Sequence, residues 1–485
     1  MFKKPLQFPQ QQAMEPMAAI IRGIVTNLSP VSRPLSVLSS MKNMQRYGQT
    51  GAETRPGRSK IGDSVGATRI LGLSAFYTAS IKKIIAQAGT VVKVYNPATD
   101  VWDTMQDSVG DYAATAANFE AVTFNDLLIF TNGTDNVQKF NGTITAVLGG
   151  TPPKGKYIAT AYQRMFLAGV TSYPHLLYVS DVADAENWST EDSASIPIND
   201  KDGDEIKWMC MFKTKLMIWK RYGFFELHGP ELGLTTDNWR IVNVAPIGTA
   251  NGRTVAEVNG AFFWLSDSED AKGIVIFEGG RPRLISEPIK DIIERINYAA
   301  IATACATTDG EGKYILFVPL DAATSPNYGI VFDTNDGTWW LWENWNPVIF
   351  TSYRQTNSEV VVMGDNNGAV YVVGGTTDAN VAIASEMIFG PSSLGINTKE
   401  KRVRKGYVIA SAAAGATLTA ATSATETGDY GSAVTLTAGT DITRIKKRLP
   451  LNQSNPSGGF VYRLKLVGSG VVKVHEVGLE ISPRG

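Results

Sequence analysis

From Thr68 to about Gly375 the chain is written as short apolar runs of strand length, each closed by Gly, Asn or Asp. Such punctuation predicts many short strands joined by tight turns. Runs at 70–77, 81–86, 91–96, 119–124, 127–131 and 137–140 come in pairs, with Gly89-Thr90, Asn125-Asp126 and Asn141-Gly142 as hairpin turns. Consecutive strands are therefore expected to be antiparallel neighbours. The same grammar recurs at 156–161, 164–168, 176–180 and 196–198, and again at 206–212, 215–220 and 223–228. It continues at 254–258, 260–266 and 273–278, then at 313–318, 329–333 and 339–343. Each round holds three or four strands in about 40 to 55 residues, the size of a blade in four-stranded propeller repeats.

A strand that ends in an aromatic and runs into a turn also repeats: Val94-Tyr95-Asn96-Pro97, Lys139-Phe140-Asn141-Gly142, Ile276-Phe277-Glu278-Gly279 and Val331-Phe332-Asp333-Thr334. An aromatic at a fixed place in each repeat is expected to fill the same gap between neighbouring sheets. One segment departs from the pattern. Residues 286–296, with Ser286 as N-cap, Glu287 and Pro288 in the first turn and isoleucines at 289, 292, 293 and 296, predict a helix that lays its apolar face on the sheets.

The ends of the chain read differently. Residues 1–60 are rich in Pro, Gln, Met, Ser and Arg without a sustained period, which suggests an extended N-terminal arm. Residues 376–397 contain Gly and Ser and are weakly patterned, a linker. Residues 398–485 alternate small residues at 406–410, 416–420, 433–438, 460–467 and 471–481, as a β-sandwich does. The expected fold is all-β: an arm over 1–60, a β-propeller body over 61–375, a linker over 376–397 and a C-terminal β-sandwich over 398–485.

Composition excludes several classes. An apolar fraction of 44% and a charged fraction of 19% belong to a folded chain rather than a disordered one. Forty-five Lys and Arg against forty-six Asp and Glu leave a net charge of −1, so no overall field draws the protein to nucleic acid. Lys3 and Lys4 are followed by Pro5 and Pro9 where a signal peptide needs an apolar run, so no export is expected. No apolar window approaches the length of a membrane span. Cys210 and Cys305 lie far apart among apolar neighbours, as buried thiols do.

Catalytic chemistry has few candidates. The three histidines, His175, His228 and His475, show no metal-ligand spacing. No nucleophile elbow, phosphate-binding loop or His-Glu-x-x-His motif occurs. The acidic stretch 199–205 fails the calcium-loop spacing and reads as a solvated turn. Trp339, Trp340, Trp342 and Trp345 with Glu343 raise the alternative of a receptor- or carbohydrate-binding propeller, glycan-cleaving or not, although alternating tryptophans on a strand are more often core. No catalytic, cofactor-binding or metal-binding residue is therefore assigned, and no enzyme activity is expected. Two basic runs stand out: Lys399, Lys401, Arg402, Arg404 and Lys405, and Arg444, Lys446, Lys447 and Arg448. They read either as a charged strand edge that resists stray pairing or as cations facing DNA or an acidic partner once copies assemble.

Pro152-Pro153-Lys154-Gly155-Lys156-Tyr157-Ile158-Ala159 is followed by Gln163-Arg164-Met165-Phe166-Leu167-Ala168-Gly169, Leu177-Tyr178-Val179-Ser180-Asp181 and Glu186-Asn187-Trp188. Asp202-Gly203-Asp204-Glu205-Ile206, Lys215-Leu216-Met217-Ile218-Trp219-Lys220 and Phe224-Phe225-Glu226-Leu227-His228-Gly229 come next. In order and spacing these resemble the propeller tail-hub family of tailed bacteriophages, which includes packaged-DNA stabilisation and tail-nozzle proteins. The resemblance spans roughly residues 55–375 and is similar again over 462–480. It implies a virion protein assembled in the host cytoplasm, a homohexameric ring next to portal and adaptor proteins and to tail fibre or spike proteins. Such a ring lines the DNA exit channel and touches genomic DNA transiently, and no active-site residue carries over from the family.

Overall fold

Side chains of a strand point alternately to its two faces, so a strand covered on both sides is apolar throughout. Leu216-Met217-Ile218-Trp219, the middle of the strand Lys215–Lys220, is such a run. Leu216 and Ile218 pack with Phe166, Leu177 and Ile206 on one side, while Met217 and Trp219 pack with Phe262, Trp264 and Phe277 on the other. The computed structural model describes residues 17–19, 21–29, 32–189, 193–229, 239–355, 358–393, 401–423, 425, 428–438, 442–449 and 461–483. Its architecture is all-β, 55% strand and 4% helix, in many small antiparallel sheets. The chain divides into two compact units, residues 56–381 and residues 1–55 with 382–485.

In residues 56–381 the sheets follow one another along the chain. Six are four-stranded meanders, spanning residues 70–104, 120–147, 157–197, 206–245, 256–284 and 305–343. The seventh begins with Pro347–Arg354, Glu359–Asp365 and Val370–Val373, and its next place is taken by Arg58–Lys60 from the other end of the unit. Thr377–Asp378 continues that sheet. At the entry to Arg58–Lys60, Gly57 and Gly375 lie so close that the Gly57 N–H donates to Gly375 O at 3.0 Å. A Cβ on Gly57 would stand 2.0 Å from Thr377 O, so the approach requires glycine.

First strands of successive sheets are neighbours. Ile70–Tyr77 touches Glu120–Phe124, which touches Tyr157–Ala161, which touches Ile206–Phe212. Ile206–Phe212 touches the 3-10 turn Gly252–Thr254 that leads into Ala256–Val258. Ala256–Val258 touches Cys305–Thr308, which touches Pro347–Arg354, and Pro347–Arg354 touches Ile70–Tyr77 again. The neighbour relation closes on itself. Instead of one core there are apolar layers between adjacent sheets, such as that of Phe76, Phe119, Leu128 and Phe140 between the first and second.

The four aromatic strand ends read from the sequence all fall on third strands of their sheets. Phe140 packs on Phe76 of the preceding sheet, with centroids 5.9 Å apart. Phe277 packs on Phe224 at 4.9 Å and Phe332 on Phe263 at 5.9 Å, in each case one sheet earlier. Tyr95 packs with Trp102 and onto the layer that holds Ile349 and Val362 of the seventh sheet. Each aromatic therefore fills the gap toward the previous sheet. The Asn125-Asp126 turn is as expected, both residues being left-handed, with φ of 47° and 59°.

Residues 286–296 form a short 3-10 turn, Glu287–Ile289, and one α-helical turn, Lys290–Glu294, with Ile289, Ile292, Ile293 and Ile296 buried. Ser286 does not cap them: its Oγ accepts from the Ile274 N–H at 3.0 Å, tying the turn to a strand instead.

The second unit corrects two expectations. Part of the anticipated 1–60 arm is strand: Leu38–Lys42 pairs with Ala384–Ser392, and Gly51–Thr54 pairs with Val472–Pro483. Leu38, Met41, Met44 and Ala52 are buried there. The anticipated 376–397 linker contains the nine-residue strand Ala384–Ser392, with Met387 and Phe389 buried. Both segments lack an obvious period because each covers only a few residues and takes its partner from the far end of the chain. Two sheets result. One runs Met44–Tyr47, Gly51–Thr54, Val472–Pro483, Lys401–Ala412, Ile442–Arg448, with Met17–Ala19 also on Val472–Pro483. The other runs Leu38–Lys42, Ala384–Ser392, Tyr462–Ser469, Thr417–Ser423, Val434–Ala438.

Candidate functional site

The two basic runs lie forty residues apart in sequence, yet the sheet register brings them together. Tyr407 pairs with Arg448 and Ile409 with Lys446, so the second run lies on the strand beside the first. Beyond that overlap Lys401, Arg402 and Lys405 pair with Val472–Pro483, opposite Pro483, Ser482 and Glu480. Among the described residues, Ile442–Arg448 is the last strand of its sheet. Lys446, Lys447 and Arg448 are exposed there. Lys399 lies outside the described residues, and only backbone is described for Lys401, Arg402, Arg404, Lys405 and Arg444.

Lys446 is not wholly free, since its Nζ sits 3.7 Å over the Tyr407 ring. The Tyr407 hydroxyl donates to Glu476 Oε1 at 2.5 Å, and this bond pushes its pKa up. Three exposed cations on such a strand would repel the same strand of a second copy, which resists self-pairing.

The acidic stretch 199–205 is built around a lysine. Lys220, whose side chain is fully buried, donates Nζ to Asn199 O at 3.0 Å and to Asp202 Oδ1 at 2.6 Å. Asp204 accepts from the backbone N–H groups of Arg221 and Tyr222 at 3.3 and 2.8 Å. An ammonium thus stands where a calcium reading would put the ion, and among the described residues no cluster of His, Cys, Asp and Glu is arranged to hold a metal. Trp339, Trp340, Trp342 and Trp345 are each at most 2% exposed. They form core, with Trp345 stacked on Phe317 at 5.7 Å, and offer no open platform beside Glu343. His228 Nε2 lies 3.2 Å from Glu226 Oε2, and His475 Nε2 lies 2.6 Å from Ser411 Oγ. His175 sits in strand Tyr173–Val179. Both cysteines are free, and burial pushes the Cys305 thiol up, away from thiolate chemistry.

Sequence reasoning missed one constellation. Arg253, in the turn before the fifth sheet, has a side chain 9% exposed. It donates Nε to Glu120 Oε1 at 2.9 Å and Nη2 to Leu71 O at 2.8 Å and Phe119 O at 3.3 Å. These partners belong to the first and second sheets and the segment between them. Burial, then the Arg253 charge, lowers the pKa of Arg69 beside it. The guanidinium ties together sheets that are not neighbours along the cycle, and no local motif announces it.

No family model matches the chain, and no curated protein matches it. Among solved structures, one that matches is the extracellular domain of a hybrid two-component system from B. thetaiotaomicron, at 10% identity with a TM-score of 0.45. The match covers 65% of this chain and 39% of that one, so the chain spans well under half of its length. At that TM-score the likeness bears on neither fold nor function.

Proposed function

We propose that residues 56–381 are a seven-bladed β-propeller, that the other unit is a β-sandwich, and that the chain is a structural tail protein of a tailed bacteriophage, a hub or nozzle subunit. In this reading six copies form a ring between the portal and adaptor side and the distal tail parts, and the ring lines and closes the DNA exit channel. One observation carries it: Arg58–Lys60 completes the seventh sheet while the first strands of the sheets close a cycle. A sheet cycle latched by a strand from its own beginning is a rigid block with few open edges, suited to a particle that must hold pressure. The ordered residue pattern from 152 to 229 supports placing that block in a phage tail. Arg253 pins the middle of the cycle, so a DNA path belongs to the ring of subunits and not to the axis of one subunit. The exposed Lys446, Lys447 and Arg448 would be repeated by the ring's symmetry.

The mass of the purified protein by light scattering, together with imaging of particles, tests the reading. A six-fold ring in the tail is expected. A protein that stays monomeric and is absent from particles overturns it.

A further inference from the structure

The near-zero net charge of the chain hides a division between its two units. Residues 56–381 hold 25 Lys and Arg against 37 Asp and Glu, a net charge of −12. Residues 1–55 with 382–485 hold 20 Lys and Arg against 9 Asp and Glu, a net charge of +11. At physiological salt a surface charge acts over about 8 Å, whereas compact units of these lengths have radii of gyration of about 15 to 20 Å. Each unit therefore presents its own sign to whatever approaches it.

Groups of both excesses remain at the surface. In the basic unit the carboxylate of Glu53 is held by Lys473 at 3.2 Å, that of Glu386 by Lys465 at 2.6 Å and that of Glu476 by the Tyr407 hydroxyl at 2.5 Å. Lys446, Lys447 and Arg448 stay exposed on the strand Ile442–Arg448, outside the ion pairs of the described residues. In the acidic unit Asp126, Asp200, Glu269 and Asp270 are exposed and likewise outside those ion pairs.

A partner of one sign throughout, nucleic acid included, is drawn to one unit and repelled by the other in nearly equal measure. A partner that carries both signs in the same proportion gains at both units, and a second copy of this chain is such a partner. The strand with Lys446, Lys447 and Arg448 repels its own counterpart in another copy, so the favoured arrangement sets unlike units against each other. Repeated from copy to copy, a contact between two different patches builds a ring where its rotation closes.

We propose that copies of this chain associate through unlike units, with the exposed Lys446, Lys447 and Arg448 of one copy set against the acidic surface of residues 56–381 of the next. The contact rests on the self-association in the ring reading and names what joins the subunits; it does not depend on the phage tail.

Sedimentation velocity of the full chain in about 50 and about 500 mM sodium chloride tests the contact, with a short DNA duplex titrated alongside. Two triple variants reach the same net charge. Lys446→Glu with Lys447→Glu and Arg448→Glu takes the chain from −1 to −7, two charges per replacement. Lys82→Glu with Lys201→Glu and Arg281→Glu does the same on three exposed cations of the acidic unit. Association of the native chain is expected to weaken about tenfold or more from the lower salt to the higher. At the lower salt the first variant is expected to associate about tenfold or more weakly than the native chain, with its melting temperature held. The second is expected to associate as well as the native chain or better, because it adds to the acidic surface. The proposal is overturned if the native chain stays monomeric at the lower salt, or if the two variants weaken association equally, which would make net charge the cause. It is also overturned if the first variant loses binding to the duplex while associating as the native chain does, which would make an anionic polymer the partner. A six-fold ring indifferent to salt and to both variants leaves the ring reading in place and removes this contact.

Discussion

Residues 56–381 and the unit made of 1–55 with 382–485 are both antiparallel β, but they are assembled in opposite ways. In the first, six of seven sheets are contiguous in sequence, and one strand, Arg58–Lys60, closes the set from a distance. In the second, both sheets depend on pairs more than 340 residues apart, such as Met41 with Met387. All ten tryptophans lie in the first unit, where broad layers between sheets need large side chains. The strands of the second unit fill their interior with residues such as Ala410, Leu418, Ala420 and Val474. Local meanders require little loop closure before contacts form, whereas the second unit must bring distant segments together first.

The largest test of that contrast is to separate the units. Expressed alone, residues 56–381 should melt cooperatively with dispersed amide resonances, because all seven sheets are complete within them. Residues 382–485 alone should not, since Leu38–Lys42 and Gly51–Thr54 are missing from their sheets; a cooperative melt of that fragment would refute the contrast.

Next in size is Trp264→Ala. Trp264 is fully buried between the fourth and fifth sheets against Trp219 and Phe224, and its indole N–H donates to Gly248 O at 2.8 Å. Chemical denaturation should show a loss of about 3–5 kcal/mol in the transition of residues 56–381, with the transition of the other unit unmoved.

Arg253→Met should cost about 3 kcal/mol in the same transition, because it strands the partly buried Glu120 carboxylate and two carbonyls. Replacing Glu120 by Gln as well should recover part of that loss. No recovery would mean that the arginine acts through packing and not through its charge.

The smallest effect concerns acid. A hydrogen bond from Lys139 at 2.6 Å, and then one from the Gly149 backbone N–H at 2.8 Å, hold the Glu186 carboxyl below its ordinary 4.5. A carboxyl depressed in the folded state adds stability that is complete above the unfolded value and disappears as pH falls through the folded one. Glu186→Gln should therefore lower the melting temperature slightly at pH 7 and leave it unchanged well below pH 4.5. The side chain is 42% exposed, so salt should shrink the difference further.

Much of the first unit was legible in the sequence. Strand alternation, the Asn125-Asp126 hairpin and the third-strand aromatics Tyr95, Phe140, Phe277 and Phe332 are all set within a few neighbouring residues. The arm and linker were misread for the opposite reason: Met41 and Phe389 sit in segments whose pairing partners lie hundreds of residues away, and a distant partner leaves no local period. Of the candidate residues, both basic runs were visible as composition, but their adjacency came from the pairing of Tyr407 with Arg448.

The sequence by itself determined an all-β chain of short antiparallel hairpins without a catalytic motif, because turn chemistry and period-two burial act over a few residues. Only the tertiary structure decided that Arg58–Lys60 closes the seventh sheet, that Lys220 fills the acidic loop, and that Arg253 ties the turn before the fifth sheet to Glu120, Leu71 and Phe119. Each of these rests on polar or backbone groups that meet across long stretches of chain, where the energy of a pairing depends on geometry that no local pattern records.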